Sequence, residues 1–333
     1  MRAAQICQYG SVEQLVIRQV ALPEPGPRDL RVRVHASSVN PVDCKIRSGT
    51  HRAVLRYRLP WTLGLDVSGV VDAVGAQVKR FKPGDEVFAS ADHRRPGCYA
   101  EYVLVDESIA AAKPRRFDHE EAAALPLAGL TAWQSLIGRA HLAPGDRVLV
   151  HAGAGGVGSL AIQLAKARGA WVAATCSAPN RPLVLGLGAD QAIDYRAEPF
   201  ERQISGLDVV FDCVGGETRK RSLKVLRRGG RLVSIVQDLS ELVRRYGPAL
   251  GMVGAGLEMA QGMLWPRLRA GVKATWVLQK PNATQLAELA SMVDRGQIQS
   301  VIDSVFDLEQ IQGAQRRSET GRARGKIVVR VAH

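Results

Sequence analysis

Short apolar runs separated by turn residues fill the first third of the chain, at 15–20, 30–36, 68–74, 86–88 and 100–105. Runs of this length and composition predict strands. Pro23, Pro25 and Pro27 punctuate the first connection, and Lys82-Pro83-Gly84-Asp85 has the residues of a tight turn. After Pro114 the pattern changes. Residues 118–125 open a helix whose first turn carries Asp118, Glu120 and Glu121, as the helix dipole favours. From Val148 a β-branched run ends at His151, glycines follow, and Leu160, Ile162, Leu164, Ala165 and Ala167 recur at helical spacing from Ser159 onward. Further strand-like runs stand at 171–175, 191–193, 207–212, 231–236 and 274–278, with helical stretches between them. Repeated βαβ predicts a parallel doubly wound sheet, with 274–278 as its last, edge strand.

Beyond that sheet, 282–296 reads as a helix stopped by Gly296, Asp307 can cap another running to about Thr320, and 326–331 is a strand. This tail resembles the β-rich material at the start. The chain is therefore expected to return to its first domain, giving domains of 1–121 with 281–333 and of 122–280. A length of 333 residues also favours two cores over one.

The turn after the first parallel strand holds the chemistry. Ala152, Gly155 and Gly158 form A-x-x-G-x-x-G, and the run Ala154-Gly155-Gly156-Val157-Gly158 presents small residues at a helix N-terminus. Without side chains in the way, backbone N–H groups there can approach a pyrophosphate. About 20 residues later, an NAD site usually places an acidic residue on the ribose hydroxyls. This chain has Thr175-Cys176-Ser177, then Asn180 and Arg181. No carboxylate repels a 2′-phosphate there, and Ser177, Asn180 and Arg181 can donate to one, which selects NADPH.

Composition narrows the class. Hydrophobic residues make up 46% of the chain, as a fully globular protein requires. The five cysteines lie far apart with no C-x-x-C pair, so neither a disulfide framework nor a cysteine-built zinc lobe is expected. A reducing cytoplasm fits, and the N-terminus lacks the apolar core of a signal peptide. The stretch 246–266 is the most membrane-like, but its glycines and Pro248 make a poor span; it reads as an apolar flap, a pocket wall or a subunit contact. The net charge of +13 raises nucleic acid as a partner, with 219–231 (RKRSLKVLRRGGR) the densest basic patch. No aromatic residue is interleaved there for base stacking, so the patch reads as a solvated face.

End to end, the chain resembles the medium-chain dehydrogenase/reductase superfamily, and within it the zinc-independent quinone oxidoreductases, the family of zeta-crystallin. The resemblance rests on Asn40-Pro41-Val42-Asp43 through Ile46-Arg47-Ser48-Gly49, on GLDVSGVVDAVG at 64–75, on 97–105, on AGLTAW at 128–133, on the glycine turn, and on GRARGKIVV at 321–329. It implies a GroES-like β-rich catalytic domain and a Rossmann nucleotide-binding domain, a homodimer, and a site in the cleft between domains. It carries Asn40, Asp43 and Thr131 into that cleft. Asn40 would donate to a cofactor or substrate oxygen, Asp43 would order its loop, Thr131 would lie near the nicotinamide, and Tyr195 would lie near the adenosine phosphate. Where many quinone reductases of the family show tyrosines this chain has Lys45 and His51, which become candidates to position a substrate oxygen.

Zinc members of the superfamily carry a ligand Cys where this chain has Asn40, and Gly-His-Glu where it has Gly64-Leu65-Asp66. Of their four-cysteine lobe only Cys98 is represented, so no metal is expected. Without a Lewis acid to hold an alkoxide, simple alcohol oxidation is disfavoured. Quinones, which delocalise incoming electrons themselves, are the expected acceptors. Conjugated enals and enones are the alternative, and a non-catalytic NADPH-binding sensor or nucleic-acid-associated protein is a third reading.

Overall fold

In the computed structural model the described residues are 1–52, 55–236 and 271–331, with isolated positions between 237 and 270. Apart from such isolated positions, the stretch 246–266, read above as flap, wall or contact, lies outside them. The chain divides into two compact units, Met1–Leu130 with Lys280–His333, and Thr131–Gln279.

In chain order the first unit begins with β1 (Arg2–Ile6), β2 (Leu15–Gln19), β3 (Asp29–Val39), α1 (Pro41–Ser48), β4 (Trp61–Thr62), β5 (Asp66–Val74), β6 (Glu86–Ser90), β7 (Tyr102–Asp106), β8 (Ala110–Ala112) and α2 (His119–Ala123). Helix α3 (Pro126–Trp133) follows. The second unit holds β9 (Arg147–Val150), α4 (Gly156–Ala167), β10 (Trp171–Cys176), α5 (Arg181–Gly186), β11 (Gln191–Asp194), α6 (Phe200–Gln203), β12 (Leu207–Asp212), α7 (Gly216–Ser222), β13 (Leu226–Ser234) and β14 (Lys273–Trp276). The chain then closes with α8 (Ala283–Asp294), β15 (Ile302–Asp307), α9 (Ile311–Glu319) and β16 (Lys326–Arg330).

The first unit is built on two sheets, one of three strands ordered β2-β1-β4 and one of seven. In the larger, β15-β16-β3-β5-β6-β8 form the path and β7 pairs with β3. Strand β16, from the far end of the chain, pairs antiparallel with β3, setting Val328 against Ser38 and Ile327 against Val39. That pairing brings Lys326 to the end of β3 and the start of α1. The apolar core joins Val32, Val34, Val67, Val87 and Val103 to Ile327 and Val329. The Lys82–Asp85 turn forms with Gly84 at φ 95°, and Asp118 and Glu121 close a reciprocal capping box on α2.

The first break was expected at 121, but the first unit continues to Leu130. Ala123 and Ala124 are buried against Ala36 of β3 and Val328 of β16, so the small residues after Asp118 belong to that sheet. Two further differences concern strand starts. The end of the basic stretch, read above as a solvated face before a strand at 231, is already strand β13 from Leu226, and β1 at the N-terminus was not anticipated. In both, ladder pairing decided what the local pattern left open.

In the second unit six strands run parallel in the order β11-β10-β9-β12-β13-β14. With β9 as the first strand this is the doubly wound order, whose direction of winding reverses between β9 and β12, and ligands bind such sheets outside the carboxyl ends of the strands at that point. Strand β14 ends the order, as the edge reading of 274–278 requires.

Candidate active site

Beyond β9 the chain makes a tight turn. Ala152 sits at φ 53°, a conformation an alanine rarely adopts. It is held there by its own amide on Thr175 Oγ1 at 3.2 Å, while Gly153 N donates to the Thr175 carbonyl at 2.8 Å. Below the turn, the buried His151 imidazole lies 3.1 Å from Thr175 Oγ1 and 2.9 Å from Ser222 Oγ. Burial pushes this histidine down to about 4, so it is neutral and joins β9, β10 and α7 without adding charge.

The two fingerprint glycines differ in what excludes a side chain. A Cβ on Gly158 would stand 2.2 Å from the Ala152 carbonyl oxygen, so Gly158 is fixed by folding itself. A Cβ on Gly155 would meet only that oxygen at 3.3 Å. Folding tolerates much more at Gly155, which leaves its smallness to serve an approaching ligand. Helix α4 starts at Gly156, three residues before the expected Ser159, with Gly155 as its N-cap. The amides of Gly156, Val157 and Gly158 occupy the first turn, where no intrahelical acceptor exists. Ala154 is buried behind them. This cradle fits a pyrophosphate.

At the end of β10, Asn180 Nδ2 donates to Ser177 Oγ at 3.2 Å, and Arg181, exposed, begins α5. Tyr195 is half exposed; its amide bonds to the Cys176 carbonyl at 3.3 Å, and the Arg196 guanidinium covers its ring at 5.6 Å. At the end of β12, Asp212 accepts the Val214 and Gly215 amides at 3.0 and 2.8 Å and the Ser234 hydroxyl at 2.7 Å, which shapes the neighbouring loop. Thr131 is buried on α3.

The first unit brings Asn40 and Asp43 together at the start of α1, with partners the sequence did not suggest. Asn40 Nδ2 donates to Asp66 Oδ2 at 2.8 Å, and Lys326 Nζ donates to Asn40 Oδ1 at 2.5 Å. The same ammonium lies 3.4 Å from Asp66 Oδ2, with Lys326 and Asp66 6% and 0% exposed. Asp66 also accepts Ser38 Oγ at 2.6 Å and the Leu127 amide, in the first turn of α3, at 2.7 Å. Asn40 is thus held on both ends of its amide.

Asp43 is fully buried. Its Oδ2 accepts the Asn40 amide at 2.8 Å and the Tyr99 hydroxyl at 2.9 Å, whereas Oδ1 has no partner among the described residues. Burial pushes this carboxyl up to about 7, against the opposing pull of those two donors. Lys45 and His51 lie at the end of α1 and in the loop after it; burial, then the Lys45 charge, holds His51 below its ordinary range.

Lys326 is the residue that sequence reading most clearly missed. Its signal was one lysine inside an otherwise β-branched run, KIVV, which a solvated edge would also explain. The basic stretch 219–231 is tied down within its own unit: Lys220 to Glu217 at 2.6 Å, Arg221 to Glu201 at 2.6 Å, Arg227 to Asp208 at 2.5 Å and Arg231 to Asp146 at 2.8 Å. Charge so paired is poorly placed to bind a phosphate backbone. Among the described residues no group of three His, Cys, Asp or Glu side chains is disposed to hold a metal, and no helix is long and apolar enough to cross a membrane.

Family models match in two places, the alcohol dehydrogenase GroES-like domain over residues 26–115 and the zinc-binding dehydrogenase family over 187–329. The mitochondrial NAD(P)H oxidoreductase RTN4IP1 of Danio rerio is 36% identical over 99% of this chain and 91% of its own length. The chloroplastic NADPH-dependent alkenal/one oxidoreductase of Arabidopsis thaliana is 35% identical over 99% of this chain and 79% of its own. Among solved structures, the quinone oxidoreductase from Coxiella burnetii superposes with a TM-score of 0.88 at 34% identity, covering 100% of this chain and 99% of that one. Relatives so similar along the whole length, a GroES-like unit and a doubly wound unit with its dinucleotide cradle leave one assignment: the chain is a nicotinamide-dependent oxidoreductase of the medium-chain dehydrogenase/reductase superfamily, in its quinone oxidoreductase-like branch.

Proposed function

We propose that the protein is an NADPH-dependent, metal-independent reductase of quinones. The observation that carries the metal-free part is Lys326. Its ammonium donates to Asn40 and faces Asp66, the positions at which zinc members of the superfamily have a ligand cysteine and the glutamate of Gly-His-Glu. A cation already neutralises that carboxylate, and Asn40 and Leu65 offer no soft or imidazole ligand. Choice of NADPH rests on the end of β10, where Ser177, Asn180 and exposed Arg181 stand and no acidic residue does.

Gly155, Gly156, Val157 and Gly158 would hold the pyrophosphate, Ser177, Asn180 and Arg181 the 2′-phosphate, and Tyr195 the adenosine end. When bound, the reduced nicotinamide supplies a hydride, and the protein supplies position and electrostatics. A quinone that accepts the hydride also takes one proton, which solvent can give. The Asp66–Lys326 pair keeps Asn40 and the N-terminus of α1 in one geometry while this happens. Asp43 and Tyr99 fix the same helix start. A homodimer formed along the β14 edge and a reducing cytoplasmic setting complete the proposal.

The test is NADPH consumption by the purified protein with a chelator present, offered duroquinone and, separately, cinnamaldehyde. Turnover of duroquinone is expected. Preference for cinnamaldehyde would move the protein to the alkenal reductases, a reading the Arabidopsis relative supports. Tight NADPH binding with neither turnover would refute the enzymatic reading in favour of a sensor.

A further inference from the structure

The loop between α1 and β4 carries polar groups that neither the nucleotide cradle nor the Asp66 network uses. Gly49, at φ 79°, ends α1, and a Cβ there would lie 3.0 Å from Cβ of Tyr9, so the chain turns closely over that side chain. The Tyr9 hydroxyl accepts the Tyr57 amide at 3.2 Å, and the Arg52 guanidinium lies 5.3 Å from the centroid of the Tyr9 ring. The Tyr57 ring leans on Trp61 with centroids 4.7 Å apart. Backbone and ring of Tyr57 are therefore fixed from two sides.

Its hydroxyl is not. The oxygen is buried and has no hydrogen-bond partner among the described residues, and the same holds for His51 Nδ1 in this loop and for Asp43 Oδ1 on α1. Buried polar atoms nearly always find partners, because without one they lose their bonds to water and gain nothing. Three of the buried side-chain atoms without a partner among the described residues thus lie on this one helix–loop segment.

We propose that the Tyr57 hydroxyl donates a hydrogen bond to the carbonyl oxygen of a conjugated acceptor, whose ring or π-system packs on the half-buried faces of Tyr57 and Trp61. The assignment rests on the reductase reading above and names its specificity-determining residue. Negative charge builds on that oxygen as hydride reaches the conjugated system, so the bond strengthens in the transition state. Tyr57 is suited to donate and not to ionise: burial, and then the charge of Asp43, push its phenol well above its ordinary range. His51, held toward its neutral form in the same loop, adds a second polar contact without a competing charge.

The test compares full-length wild type with Tyr57→Phe in four measurements: kcat/KM for duroquinone with NADPH, duroquinone binding by quenching of tryptophan fluorescence, NADPH affinity, and Tm. Trp61→Phe identifies the quenched tryptophan. For Tyr57→Phe, kcat/KM is expected to fall by about tenfold or more and duroquinone binding to weaken, the loss of one hydrogen bond in a dry site. NADPH affinity stays unchanged, and Tm is unchanged or higher because a partnerless hydroxyl has been removed. Unchanged duroquinone kinetics and binding would overturn the assignment. So would a parallel loss of NADPH affinity and Tm, the mark of a structural residue. Wild type without turnover would instead overturn the reductase reading. The quenching titration then decides Tyr57 alone, since weaker binding by the variant upholds the site and equal binding overturns it.

Discussion

Replacing Lys326 with Met removes the only ammonium that the described residues place on Asp66, and the magnitude can be worked from the surroundings. Asp66 is fully buried and keeps three donors after the change, Ser38 Oγ, Asn40 Nδ2 and the Leu127 amide. It loses its counter-charge, and Asn40 Oδ1 loses its donor. Breaking a buried ion pair from one side costs about 3–5 kcal/mol, and at about 2–4 °C per kcal/mol for a domain of this size Tm should fall by roughly 6–20 °C. Neutralising the orphan should recover part of the loss. Lys326→Met/Asp66→Asn is therefore expected to be more stable than the sum of the two single changes by about 1–3 kcal/mol. The assay is urea unfolding followed by circular dichroism, run as a double-mutant cycle. A single variant within about 1 kcal/mol of wild type, or a strictly additive cycle, would refute the argument that one cation holds this carboxylate where other members hold zinc.

The glycine turn and the titrating groups give three further tests. Gly155→Val should abolish binding of both NADPH and NADH while lowering Tm less than Gly158→Ala does, because a Cβ at 158 meets the Ala152 carbonyl at 2.2 Å and one at 155 meets it at 3.3 Å; retained nucleotide affinity in Gly155→Val would misplace the cradle. Arg181→Glu should weaken NADPH far more than NADH by isothermal titration, and equal losses would remove Arg181 from the 2′-phosphate site. Asp43, raised to about 7 by burial, favours the folded state most at low pH. Its contribution is full below the unfolded carboxylate range and is lost as pH rises through about 7, so Asp43→Asn should flatten that part of the stability–pH curve, a change of up to roughly 4 kcal/mol. Parallel curves for the two proteins would show that Asp43 does not titrate there.

Much of the molecule was legible because it is written in local chemistry. The alternation of β-branched runs with helical periodicity from Val148 onward could only bury both faces as a doubly wound parallel sheet, and the small residues from Ala154 to Gly158 had to open a helix beyond the carboxyl end of its first strand. Caps and turns such as Asp118 with Glu121 and Lys82–Asp85 were equally local. The resemblance to a known family supplied Asn40 and Asp43. What the sequence by itself determined was thus the two folds, the cradle and the cofactor class.

The partners of the site residues were decided only by tertiary structure. Lys326 lies 286 positions from Asn40 in the chain, and their contact exists because β16 pairs with β3 in one register. Asp66 reaches the same point from β5, and Tyr99 reaches Asp43 from the segment before β7. Whether Gly155 or Gly158 is small for the sake of folding, and whether Tyr57 ends in a bonded or an unbonded hydroxyl, depends on atoms brought from elsewhere. Periodicity reports which face of an element is buried; the identity of the atom a buried polar group meets is set by sheet register and long-range packing, which no local pattern encodes.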